Sequence, residues 1–136
     1  MKYGSLLDTN VISELRKPKP HGAVVAWLRS IPGEQVFISA ITLGEIQAGI
    51  EVTRERDSVK ATEIEDWLDE VAASYQILPA DGRVIREWAR LMHGRSERLI
   101  EDAILAATAR IHGLTLVTRN TRDFKDFKVP VLNPWL

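Results

Sequence analysis

Tyr3-Gly4-Ser5-Leu6-Leu7-Asp8-Thr9-Asn10-Val11-Ile12-Ser13-Glu14-Leu15 is a short apolar run that stops on an acid and turns at once into a helical pattern. That change of period sets the fold class. A continuous apolar run suits a strand buried on both faces, which is the condition of strands in a parallel sheet. The short helix at 11–15 is broken by Pro18 and Pro20, a second helical stretch at 23–28 ends near Pro32-Gly33, and residues 36–41 read as the next strand. Strand and helix patterns in alternation predict an α/β fold around a parallel sheet.

The alternation continues to the end of the chain. From Thr42 the apolar positions Leu43, Ile46 and Ile50 take helical spacing, and Ile64, Trp67, Leu68 and Val71 form the i, i+3, i+4, i+7 stripe of a helix at 59–72. Residues 76–78 make a short strand closed by Pro79. Asp81-Gly82 opens a helix with Val84, Ile85, Trp88, Leu91 and Met92 near one direction and Arg83, Arg86 and Arg90 on the other side. Residues 100–111 are helical, stop at His112-Gly113, and lead into strands at 114–118 and 129–132.

The chain has 136 residues, 45% hydrophobic and 27% charged, which predicts one domain spanning 1–136. The absence of cysteine excludes disulfide frameworks, thiolate zinc sites, iron–sulfur clusters and cysteine nucleophiles. A net charge of −1 argues against a polycation that binds nucleic acid by overall charge. Residues 45–70 nevertheless hold nine acids and three bases, whereas residues 81–122 hold eight arginines and five acids, so the charge is polarised along the chain. The opening run meets Asp8 too soon to be a signal peptide, and no apolar stretch is long enough to span a bilayer. The expectation is a soluble cytoplasmic protein with no membrane partner.

There is no G-x-S-x-G, no phosphate-loop motif, no G-x-G-x-x-G and no His pair at i, i+4; His93 and His112 each precede a glycine and read as helix ends. What remains is a set of acids at element junctions. Asp8 lies at the carboxyl end of the first strand, where it also suits a helix N-cap. Thr42-x-x-Glu45 is a plausible capping box, and Asp102 sits near a helix start, which favours an acid without any function. Asp123 lies in the loop Arg119-Asn120-Thr121-Arg122-Asp123. The loops that follow parallel strands gather at one sheet edge, which would collect Asp8, Glu45 and Asp123; Asp102 is placed only once the fold is known. Carboxylates crowded there repel unless a cation lies between them, and all-oxygen donors suit Mg²⁺ or Mn²⁺.

Leu6-Leu7-Asp8-Thr9-Asn10, Ser39-Ala40-Ile41-Thr42-Leu43-Gly44-Glu45-Ile46, Glu101-Asp102-Ala103-Ile104-Leu105-Ala106-Ala107, His112-Gly113-Leu114-Thr115-Leu116-Val117-Thr118-Arg119-Asn120 with Asp123-Phe124, and Leu132-Asn133-Pro134-Trp135 occur in this order over nearly the whole chain. In that set the sequence resembles the PIN-domain ribonucleases, in particular the VapC-type toxins of bacterial toxin–antitoxin modules. The resemblance implies a three-layer α/β/α domain with a central parallel sheet of four or five strands. It implies that Asp8, Glu45 and Asp102 are active-site acids, with Asp8 and Asp102 the direct metal ligands and Glu45 orienting or deprotonating the attacking water or holding a second ion. Many members carry an acid where this chain has Asn120, and the nearest acid here is Asp123, so the fourth position is shared between Asn120 and Asp123. The partners implied are an RNA substrate, a cognate antitoxin, operator DNA reached through the antitoxin, and a second copy in a homodimer. Arg83, Arg86, Arg90, Arg95, Arg98, Arg119 and Arg122 are candidates for phosphate contacts.

Two alternatives come from other classes. A phosphoaccepting receiver domain would want paired acids after the first strand and a lysine after a later one, whereas Asp8 stands alone and Arg119 follows Thr118. A PIN-fold scaffold that only binds nucleic acid would not need Asp8, Glu45 and Asp102.

Overall fold

The computed structural model describes residues 4–136; Tyr3, assigned above to the first strand, lies outside the described residues. Strands β1 (Gly4–Leu7), β2 (Val36–Ser39), β3 (Gln76–Leu78), β4 (Leu114–Val117) and β5 (Val131–Leu132) form one sheet in the order β3-β2-β1-β4-β5. Every pairing is parallel, as the continuous apolar strands predict. The helices are α1 (Thr9–Arg16), α2 (Gly22–Arg29), α3 (Ala40–Arg54), α4 (Ser58–Ser74), α5 (Gly82–Met92) and α6 (Ile100–His112), and a 3-10 run covers Thr121–Phe127.

Successive strand residues point to opposite faces, and this divides the core in two. Leu6, Phe37, Leu114 and Leu116 pack with Ala103, Ala106 and Ala109 of α6 and with Phe124 and Phe127. Leu7, Val36, Ile38 and Val117 pack on the other face with Val11, Ile12 and Val24, flanked by partly buried Trp27, Leu43 and Trp67. The sheet therefore lies between two helix layers. Small side chains bring α6 close to it, and the same closeness appears at Gly4, where an added Cβ would stand 2.7 Å from the Phe37 ring and overlap Leu114. Gly113 ends α6 in the left-handed conformation, at φ 65°.

The strand order also places the site. From β1 the chain moves outward to β2 and β3 by way of α1 to α4; it then returns beneath the sheet through α5 and α6 to β4 and continues the other way to β5. Beyond their carboxyl ends the adjacent strands β1 and β4 send the chain to opposite sides, which is the crevice where open α/β sheets bind ligands. A receiver domain would have the order 2-1-3-4-5, and that alternative fails here.

Three sequence-based boundaries need correction. The strand expected at 36–41 ends at Ser39, whose Oγ accepts a hydrogen bond from Ile41 N at 3.1 Å and starts α3 at Ala40. Thr42 is consequently inside the helix, and no Thr42/Glu45 capping box forms. The last strand is shorter than 129–132 and pairs only through Val131–Leu132. The loop carrying Asp123 is a 3-10 run pinned by the buried Phe124 and Phe127, so its backbone is fixed.

Candidate active site

Asp8 extends the β1–β4 pairing by one residue, its N–H donating to the Val117 carbonyl at 2.9 Å, and then caps α1. Its Oδ1 accepts from Thr9 N at 2.7 Å. Its Oδ2 accepts from Thr118 Oγ1 at 2.8 Å and from Asn10 Nδ2 at 3.3 Å. Capping and site chemistry are thus not alternatives for this residue: the bond that caps the helix also fixes the carboxylate. Oδ1, with one hydrogen bond, keeps an acceptor site for a ligand.

Nothing in the sequence pattern marks the neighbours that hold Asp8. Thr118 is fully buried, and besides donating to Asp8 its hydroxyl oxygen accepts from Asn120 N at 3.0 Å and from Asn10 Nδ2 at 3.3 Å. Asn10 Oδ1 accepts from Arg119 N at 3.3 Å, tying the start of α1 to the loop after β4. The pairing of Leu7 with Val117 places Asp8 beside Thr118. No local pattern in the sequence carries that adjacency.

Glu45 reaches the site through a third neighbour: Thr9 Oγ1 donates to its Oε1 at 3.0 Å. Asp102 lies in the first turn of α6. Burial, then the charges of Asp8, Asp123 and Glu101, push its carboxyl up to about 6, against the weaker pull of Arg98. Burial also raises Asp8, opposed by its hydrogen bonds from Thr118 and Thr9 and reinforced by the Asp123 charge. The Asp8 charge is the largest of those acting on Asp102. Asp8, Asp102 and the exposed Asp123 therefore share one field. Asn120 joins them through its backbone N–H, its side chain making no capping bond.

Among the described residues no three Asp, Glu, His or Cys side chains are close enough to enclose one ion. The arrangement is not an all-protein cage. It does suit a cation that keeps most of its water and takes one or two carboxylates, as Mg²⁺ commonly does. The neighbouring carboxylate charges, which add to burial in raising Asp102, are what such an ion would relieve. Because the folded carboxyl binds its proton more tightly than an unfolded Asp, the metal-free protein loses stability as pH rises through about 6. Saturating Mn²⁺ is expected to raise the melting temperature at pH 7.5 and to raise it less at pH 5, where Asp102 is protonated. Equal shifts at both pH values in a thermal melt would show that the ion does not meet this carboxylate.

The model of the PIN domain family matches residues 5–130. The chain belongs to the PIN-domain family. Toxin FitB of Neisseria gonorrhoeae is 41% identical to this PIN domain over 138 residues, covering 96% of this chain and 97% of the relative. VapC ribonuclease Y4jK of Sinorhizobium fredii is 35% identical over 136 residues, with 96% of each covered. The crystal structure of FitAcB from Neisseria gonorrhoeae superposes with a TM-score of 0.85 at 37% identity, covering 96% of this chain and 98% of that one. The sheet order and the helix layers of this PIN domain are the three-layer architecture that the resemblance implies.

The arginines of the PIN domain divide by what already occupies them. Arg90 pairs with Glu87 at 3.0 Å, and Arg95 donates to the carbonyls of Leu91 and Asp126 while lying over the Phe127 ring. Both are engaged within the fold. Arg83, Arg86, Arg98, Arg119 and Arg122 have no ion pair among the described residues.

Proposed function

We propose that this PIN domain is a divalent-metal-dependent endoribonuclease, the toxin of a toxin–antitoxin module. The observation that carries the reading is the shared field of Asp8, Asp102 and Asp123 at the switch point, with the Asp102 carboxyl raised to about 6. The names of the relatives, a toxin and a VapC ribonuclease, agree with it.

Asp8 and Asp102 would hold a Mg²⁺ ion, or Mn²⁺ in its place. A bound divalent ion makes a water more acidic and stabilises charge on the phosphodiester as it is attacked. Asp8 presents Oδ1, since Thr118 and Asn10 occupy Oδ2. Glu45, held by Thr9, would orient the attacking water and take its proton as the water oxygen bonds to phosphorus; the P–O bond to one ribose oxygen breaks, and that oxygen takes a proton from solvent. Asn120 and Asp123 border the place where the substrate phosphate lies. The unpaired arginines offset the acids for an anionic strand.

The reading extends to a cytoplasmic setting, a homodimer, and a cognate antitoxin that covers the site and leads the pair to operator DNA. No described helix is long and apolar enough to cross a membrane. Purified protein is expected to cleave RNA with Mg²⁺ or Mn²⁺ and to stop when EDTA removes the ion. Cleavage that survives EDTA would defeat the proposed mechanism.

A further inference from the structure

The closing motif Leu132-Asn133-Pro134-Trp135 has no part in the chemistry above, yet it touches the site. The Arg119 guanidinium lies over the Trp135 ring, 5.0 Å from its centroid, within the range of a cation–π contact. The ring is itself held, with Trp135 N donating to Asn133 Oδ1 at 2.9 Å and the indole packed on the cluster that contains Leu7 and Val117. At the other end of the residue, Arg119 N donates to Asn10 Oδ1, and Asn10 donates to Asp8. Arg119 is thus fixed at both backbone and head group, one side chain away from Asp8.

Its charge is nevertheless uncommitted. No carboxylate lies within ion-pair distance of Arg119 among the described residues. Residues Arg119 to Asp123 line an open cavity of about 390 Å³. Stacking on an indole face leaves the N–H groups at the guanidinium edge free, and that planar fork matches phosphate oxygens. Among the described residues Arg83, Arg86, Arg98 and Arg122 are also without an ion pair and no ring lies under them, and a side chain not held in this way loses more rotamer entropy on binding.

We propose that Trp135 holds Arg119 as a pre-organised phosphate contact for the RNA strand entering the carboxylate site. Arg119 is then a binding residue and Trp135 a positioning residue; the inference rests on the ribonuclease reading.

The test uses the full chain carrying Asp8→Asn, so that RNA binds without being cut, and follows a fluorescein-labelled single-stranded 12-mer by anisotropy across a salt series in Mg²⁺. Arg119→Ala is expected to weaken binding about tenfold and to lower the slope of log affinity against log salt by about 0.7. Trp135→Leu is expected to weaken binding about threefold with the slope kept, because the charge remains while its fork is no longer held. Arg119→Lys should behave like Trp135→Leu. If Trp135→Leu melts early, Trp135→Phe, which keeps a ring, should bind like the parent. Arg119→Ala binding within twofold of the parent, in a protein whose wild type cleaves RNA, would overturn this inference alone. A loss that ignores salt would show base stacking in place of phosphate contact and overturn it as well. Absence of both binding and cleavage in the wild type would remove the ribonuclease reading together with it.

Discussion

Asp8→Asn is expected to lower RNA cleavage by about a thousandfold or more while leaving the fold intact. The substitution keeps the shape and removes the charge. An Asn oxygen can still accept from Thr9 N, and the Thr118 hydroxyl can rotate to accept from the new amide. The long bonds from Asn10 Nδ2 are lost, both to position 8 and to Thr118 Oγ1, whose two lone pairs then serve Asn120 N and the new amide. Removing a buried, repelled carboxylate offsets part of that loss, so the melting temperature should stay within a few degrees of wild type. Asp8→Ala behaves differently, because it strands the Thr118 hydroxyl and the Asn10 amide without their acceptor, at about 1–3 kcal/mol. Equal cleavage by wild type and Asp8→Asn at matched protein concentration would trace the activity to a contaminant.

Phe124→Ala is expected to cost about 3–5 kcal/mol, a fall of roughly 10–15 °C in melting temperature for a domain of this size. The ring is fully buried, packed among Leu116, Phe127 and the alanines of α6. The alanines among those neighbours are too short to fill the space. The loss reaches function too, because the run Thr121–Phe127 carries Asp123 and continues from Asn120 and Arg119. Cleavage should drop several-fold even at temperatures where the variant is folded, and Phe124→Leu should recover most of both effects. A fall of less than 3 °C in a calorimetric scan would mean that the run is anchored elsewhere.

Much of the fold is legible in the sequence where the physics is local. The six helices and five strands follow from period and punctuation, and Asp81, Gly113 and the prolines mark ends that the structure keeps. The misplaced start of α3 has an equally local cause. Ser39 and Thr42 both resemble N-caps, and pattern alone does not choose between two capping residues three positions apart. Glu45 illustrates the consequence, since a helix capped by Thr42 would have drawn its carboxylate back to the Thr42 N–H and away from Thr9.

The sequence alone was sufficient for the fold class and the family resemblance, because apolar period, capping residues and short motifs are properties of neighbouring positions. Folding in space was needed to join Asp8 to Thr118 across 110 residues, to make Asn10 a strap onto Arg119, to separate Arg95 from the unpaired arginines, and to stack Arg119 on Trp135. Each of these depends on which strands become neighbours. That choice is made by the burial of two sheet faces at once, and no single segment of the chain contains it.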